Sequence, residues 1–247
     1  MKSKVFANTK LLSLAGVKYL IVDQFPLEPI FNSDKIEYFS MNERGLSKSR
    51  NFALTHAEGD ILVIADDDIW FVDDFSKLLD QHYLQYPDAD FITFNNICDV
   101  SPPQKSYQHN LKSVLGISSW KISFKKSSFQ KMGMQFDERF GLGSDFIAGE
   151  ENIFLFEALK NGLVGYHVAA ALVCHQDLST GYKYNDKLAL TKGAIQARLL
   201  GRLAYLTAFI TSLRKYSEYR GQITYCKFLT NIFKGVYLFR SRANSRL

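Results

Sequence analysis

Three carboxylates in a row, Asp66, Asp67 and Asp68, follow the apolar run at residues 61–65 (ILVIA). Adjacent carboxylates repel one another, so keeping them at the end of a buried strand is costly unless a cation or a basic partner neutralises them. A hard divalent ion, Mn2+ or Mg2+, suits all-oxygen ligands and is usually completed by substrate phosphates. The plainer reading is a helix cap with surface acids. A second acidic pair, Glu150 and Glu151, follows Gly149. Such a carboxylate can accept a proton from an attacking hydroxyl, or can simply sit in a first helical turn where the dipole favours acids. His175 comes directly after an apolar run and, taken alone, reads as a structural histidine. His56, His82, His109 and His167 make no ligand spacing with it, so no zinc site is expected. Arg50, taken alone, reads as a structural partner of one of the nearby acids.

These groups need a scaffold that brings strand ends together. Strand-like and helix-like segments alternate through the first two thirds of the chain, which predicts an α/β sheet, mixed and mainly parallel, flanked by helices. Residues 17–22 (VKYLIV) read as a strand closed by Asp23, and residues 36–39 as a second. A helix is predicted over 45–57, ended by Gly59, and the five apolar residues 61–65 make the clearest strand. Asp73 and Asp74 stand where they would cap a helix over 75–86. Strands are predicted at 91–94, 117–124 and 166–174, helices at 127–132 and 151–161, and a loop at 99–108 around Pro102 and Pro103. In such a sheet, ligands gather at the carboxyl ends of the strands.

With 247 residues, 47% of them hydrophobic, the chain can build one sizeable core, so disorder is not the default. Residues 186–247 carry 12 Lys or Arg against two acids, Asp186 and Glu218, whereas residues 1–185 are net acidic. Two regions follow: a domain over 1–185 and a basic helical extension over 186–247. That extension reads either as a helical hairpin packed on the sheet or as an amphipathic surface drawn to an anionic membrane. Cys98, Cys174 and Cys226 form no CxxC pair, which favours a reducing compartment. No secretory leader opens the sequence, and no apolar run approaches the roughly 18 to 20 residues that span a bilayer. The expected location is cytoplasmic, with peripheral contact at the inner face of the cell membrane.

Taken together, the run Gly45-Leu46-Ser47-Lys48-Ser49-Arg50-Asn51-Phe52-Ala53-Leu54, then Ala57-Glu58-Gly59-Asp60, then residues 61–68, resembles the signature of family 2 glycosyltransferases, which have the GT-A fold. A second match follows in the family's order: Phe136-Asp137-Glu138-Arg139-Phe140, then Gly149-Glu150-Glu151-Asn152 with Gly162 beyond, similar to the acceptor-side Gly-Glu-Asp motif. Here the usual Asp is Glu151. The resemblance implies transfer of a sugar from a nucleoside-diphosphate donor, a UDP-sugar, to a saccharide or lipid-linked saccharide, as in cell-envelope polysaccharide synthesis. It implies inversion at the anomeric carbon and dependence on Mn2+ or Mg2+. Asp66 and Asp68 would be the Asp-x-Asp pair with Asp68 the direct metal ligand, or Asp67 and Asp68 if two adjacent acids serve. Arg50 and Asp23 would hold the donor nucleotide, His175 would add a metal or diphosphate contact, Glu151 would be the general base, and Glu150 would orient the acceptor.

Family members usually open with a strand and a helix before the Asp23 equivalent, yet only sixteen residues precede Val17. That first strand is expected to be missing or replaced, which makes an inactive transferase-like partner subunit the competing reading. A glycoside hydrolase needs no cation-binding acids. A phosphatase or nucleotidyltransferase lacks its second ligand set and its GxxxxGK[ST] loop here. No nucleic-acid recognition motif accompanies the basic tail, so no nucleic acid is expected as a partner.

Overall fold

The computed structural model describes residues 14–24, 33–99, 101–175 and 184–244. The residues before 14, Pro26 and Pro29 after Asp23, and residues 179–181 lie outside the described residues. The chain divides into two compact units. The first holds the described residues up to Arg44, Lys48–Phe136, and those from Phe154 to His175; the second takes Gly45–Ser47, Asp137–Ile153 and the described tail from Tyr184 onward.

In the first unit, β1 (Tyr19–Asp23) and β2 (Ile36–Ser40) form a two-stranded parallel sheet of their own, with Tyr19 opposite Ile36 and Asp23 opposite Ser40. Helix α1 (Leu46–His56) follows, then β3 (Ile61–Val63), β4 (Trp70–Phe71), α2 (Phe75–Gln85), β5 (Phe91–Asn96) and β6 (Tyr107–Gln108). The chain continues through β7 (Ile122–Lys125), α3 (Lys126–Lys131), α4 (Glu150–Lys160) and β8 (Gly165–Cys174). The main sheet runs β3-β7-β5-β8-β4, with β6 also on β8. It is mixed, as expected, but only β5–β8 is parallel within it. The other four pairings are antiparallel. The two-residue strands β4 and β6 both join β8 from the opposite direction.

Four local expectations are corrected. Residues 117–124 do not form one strand: Ser119–Lys121 wind into a 3-10 turn, as do Ser113–Gly116 before them, and the strand is Ile122–Lys125. For the same reason β3 stops at Val63, because its partner β7 offers no ladder beyond Ile122 except an acceptor for Ile64 N at 3.2 Å. The supposed loop at 99–108 contains β6. Asp74 does stand at the amino end of α2, yet its side chain makes no capping hydrogen bond.

All six residues of β5 are buried, so the strand carries apolar and satisfied polar side chains with no alternation. Ile69, Phe71, Phe75, Leu79, Ile92 and Phe94 form one core, and beside it Phe136 stacks on Phe154 at 4.1 Å between centroids. In the second unit, α5 (Asp186–Leu200), α6 (Ala204–Arg214), α7 (Tyr216–Tyr219) and α8 (Tyr225–Asn244) make up the described part of the basic helical extension. Phe140, Phe146, Leu188, Tyr219, Phe228 and Ile232 make its core. Helices α5 and α8 meet backbone to backbone at Gly193 and Gly235, where any Cβ would overlap Ile232 O or Leu190 O.

Candidate active site

The three aspartates leave β3 in a turn and are treated differently by their surroundings. Asp66 is drawn into the protein. Arg50 Nη2, from a guanidinium only about a tenth exposed on α1, lies 3.4 Å from Asp66 Oδ1, and Ser119 Oγ donates to Oδ2 at 3.4 Å. The guanidinium also lies over the Phe136 ring at 5.6 Å. Asp68 behaves otherwise. Its side chain is 35% exposed, yet Oδ1 itself is shut from solvent and receives no hydrogen bond. The group nearest to it is His175 Nε2, at 3.4 Å.

That proximity follows from strand register. Trp70, two residues past Asp68, pairs with Cys174, one residue before His175. The β4–β8 ladder therefore carries the end of the acidic turn to the end of β8. His175 is fixed from three sides. Asn96 at the end of β5 receives its backbone N–H at 3.1 Å and donates to its carbonyl at 3.0 Å. Trp120 stacks on the imidazole at 5.0 Å with planes 9° apart, and Lys121, paired with Asp99 at 2.7 Å, covers the Trp120 ring at 4.9 Å. The ring is only 9% exposed and its Nδ1 has no hydrogen-bond partner. A buried carboxylate oxygen and a buried imidazole converging without a hydrogen bond leave two donors poorly satisfied, an arrangement that a bound cation would relieve.

Among the described residues, no group of three or more His, Cys, Asp or Glu side chains is arranged to hold a metal. Two donors are what the protein brings together here, Asp68 and His175, with Asp66 engaged by Arg50 and Ser119. A divalent ion that keeps waters and takes substrate phosphates needs no more than one or two protein carboxylates, so the pair fits such an ion.

Asp23 ends β1 and accepts from the Tyr38 hydroxyl at 2.8 Å. Burial and that carboxylate push the Tyr38 phenol up to about 12, so it stays a proton donor to Asp23. Asp67 is half-buried beside its two neighbours.

Glu150 and Glu151 belong to the second unit and open α4. Glu150 is buried, 5% exposed. Gly149 before them is at φ +93°, and a Cβ there would strike the Ile195 side chain, with Cγ1 at 2.9 Å. A glycine is thus required for the chain to turn into α4 against α5. In the same unit, Asp137 is pinned by Arg139 at 2.6 Å and Arg198 at 2.9 Å. Burial raises the Asp137 carboxyl, but the two arginines outweigh it and hold the group below the usual range. This acid is a structural clamp.

Sequence reading missed Asn96, Ser119 and Trp120. An Asn pair ending an otherwise apolar strand, Asn95-Asn96, was the available signal, because buried amides at a strand's carboxyl end must be matched to something. The cysteines are also corrected: Cys98 and Cys174 are joined in a disulfide with Cα atoms 5.9 Å apart, and Cys226 is free and exposed. Spacing along the chain concealed a pair that the strand ends bring together.

Comparison with known proteins agrees with this architecture. The sequence model of glycosyl transferase family 2 matches residues 21–150. Residues 1–349 of S. aureus TarS superpose with a TM-score of 0.61 at 13% identity, covering 98% of this chain and 89% of that one. TarS 1–349 in complex with UDP-GlcNAc gives 0.57 at 13% identity, covering 82% and 65%. The complex with UDP gives 0.52 at 13%, covering 74% and 55%. At that identity the likeness is one of fold. A comparison with curated proteins finds no match.

Proposed function

The chain belongs to glycosyl transferase family 2 and is a glycosyltransferase of GT-A-like fold; from that premise we propose that it moves a sugar from a UDP-sugar to a hydroxyl of a saccharide or lipid-linked saccharide, with inversion. The convergence of Asp68 Oδ1 and His175 Nε2 at 3.4 Å, beside an Asp66 already held by Arg50, carries the reading. It supports a place for a diphosphate and its cation at the ends of β3 and β8. The binding of UDP-GlcNAc and UDP by TarS 1–349 supports uridine as the base.

In this proposal Asp68 and His175 hold Mn2+ or Mg2+, which when bound neutralises charge on the leaving diphosphate. Arg50 orients Asp66 and adds positive charge on the donor side. Asp23, kept hydrogen-bonded by Tyr38, receives the nucleoside. Glu151 accepts the acceptor hydroxyl's proton as the oxygen attacks the anomeric carbon; the bond from that carbon to the diphosphate oxygen breaks, and the nucleoside diphosphate leaves with the electron pair. Glu150 orients the acceptor. No covalent nucleophile is required, because attack from the face opposite the leaving group completes the reaction in one displacement.

The test compares two variants. Asp68→Ala should weaken Mn2+-dependent UDP binding by about 100-fold in calorimetry, which is of the size seen when metal sites lose support. Glu151→Gln should bind UDP as the wild type does and lose transfer by about 100-fold or more. Wild-type affinity in the first variant would remove Asp68 from the metal, and wild-type turnover in the second would remove Glu151 from the chemistry.

A further inference from the structure

Helix α6 is packed with its small side inward. Ala204, Ala208 and Ser212 are fully buried, and the helix lies against α5 and α8, where Gln196 Nε2 donates to Thr211 Oγ1 at 3.0 Å. With 3.6 residues per turn, the opposite side holds Leu203, Leu206, Phe209, Ile210 and Leu213. These are the large apolar residues, and they face solvent: Leu206 is 59% exposed, Leu213 53% and Phe209 44%. A helix in a water-surrounded domain does the reverse, turning its apolar stripe to the core. A contiguous exposed apolar face of this kind marks a surface that something covers.

The charges around it select what covers it. Helix α6 carries no acidic residue, Arg202 stands just before it, Arg214 closes it, and Arg220 follows within the same basic tail. Pairing this face with the same face of a second copy would set arginine against arginine. No helix among the described residues is long and apolar enough to cross a membrane, so an apolar face with a cationic rim has the form of one that lies in a bilayer's interface. We infer that α6 seats the second unit on the surface of an anionic phospholipid bilayer, with Leu206, Phe209 and Leu213 entering the acyl boundary and Arg202 and Arg214 meeting headgroup phosphates. The inference stands apart from the transfer chemistry, since it is read without donor, metal or acceptor.

The experiment is co-sedimentation of the full chain with vesicles of phosphatidylcholine alone and of phosphatidylcholine mixed with phosphatidylglycerol. The wild type should bind the anionic vesicles and leave the neutral ones. The double variant Leu206→Gln with Phe209→Gln should bind about a hundredfold more weakly, since each side chain removed from an apolar phase is worth tenfold or more. Arg202→Gln with Arg214→Gln should weaken binding and flatten its salt dependence. A separate readout guards against misfolded variants: the emission of the Phe209→Trp variant should shift to the blue when anionic vesicles are added. Absence of binding by the wild type, equal binding by the Gln variants, or an unshifted emission from Phe209→Trp would overturn the proposal. So would self-association that Leu206→Gln with Phe209→Gln abolishes in the absence of lipid, which would assign the face to a second copy.

Discussion

Mild acid should destabilise the first unit through His109 and His167, two imidazoles built into the sheet as neutral groups. Both are buried, and they share one hydroxyl: Thr93 Oγ1 lies 2.8 Å from His109 Nε2 and 3.0 Å from His167 Nδ1. The Thr93 hydroxyl donates to a bare nitrogen on one ring and accepts an N–H from the other; Asn95 Oδ1 can only accept, so His167 donates through Nε2 and its bare Nδ1 takes the Thr93 proton, a bond that protonation of His167 removes. His109 Nδ1 meets Ser113 Oγ at 2.9 Å and His167 Nε2 meets Asn95 Oδ1 at 3.1 Å, so every ring nitrogen is used. Burial, and then the neighbouring His167, pull His109 down to about 4. Burial, and then Lys121, pull His167 down to about 4. The sign follows from comparing folded and unfolded rings. An unfolded histidine takes its proton near pH 6.5, whereas the folded ring refuses it until about pH 4, so the unfolded chain binds more protons in between. Stability from each ring is complete above the unfolded value and is lost as pH falls through that window. By about pH 5 the loss is roughly 2 kcal/mol per ring, less for the pair because the two titrate together. The assay is urea unfolding followed by tryptophan fluorescence at about pH 7 and about pH 5, with histidine ring protons followed by NMR. Equal midpoints at the two pH values, or either ring titrating near pH 6.5 in the folded protein, would refute the reasoning.

Two glycine substitutions test the packing that presents the acidic pair and the basic helices. Gly149→Ala forces a residue at φ +93° and pushes on the Ile195 side chain; it should lower stability by about 2 kcal/mol, most of it from the left-handed backbone, read as a fall of a few degrees in melting midpoint. Gly193→Ala directs its Cβ at the Ile232 carbonyl, which moves only if α5 and α8 separate. It should destabilise by about 3 kcal/mol, while Gly221→Ala, with open space around it, should leave the midpoint within a degree or so. Equal effects at 193 and 221 would show that the helices tolerate a wider spacing.

The disulfide, the Asn96 clamp and the β4–β8 ladder converge on one short stretch of chain. Cys174 is bonded to Cys98, Asn96 accepts from Cys98 N at 3.1 Å as well as holding both backbone groups of His175, and Trp70 is in register with Cys174. The imidazole that faces Asp68 is therefore fixed by its backbone and by the Trp120 face, leaving its nitrogens to the site. In the proposed site, a side chain held in this way needs no reorganisation when a ligand arrives.

What was legible in the sequence was whatever depends on neighbours along the chain. The apolar run before Asp66 read as a strand, which the structure keeps over Ile61–Val63 although half-buried, and the alternation of segments read as a sheet flanked by helices. Those follow from period and composition, whereas the family resemblance came from the motif runs within residues 45–68 and 136–152. What depends on partners far along the chain was not legible. Nothing in residues 117–124 says that Ser119 will reach Asp66 and that Trp120 will stack on His175, because the 3-10 turn there is imposed by neighbours in space. Nothing in three scattered cysteines says that β5 and β8 end side by side. The tertiary structure also decided between equivalents: three adjacent aspartates look alike in sequence, yet an arginine from α1 takes Asp66 and leaves Asp68 turned toward a histidine 107 positions later. The physical reason is the same in each case: a side chain's chemistry is local, but its burial and its partners are set by strand pairing, which joins residues that sequence distance keeps apart.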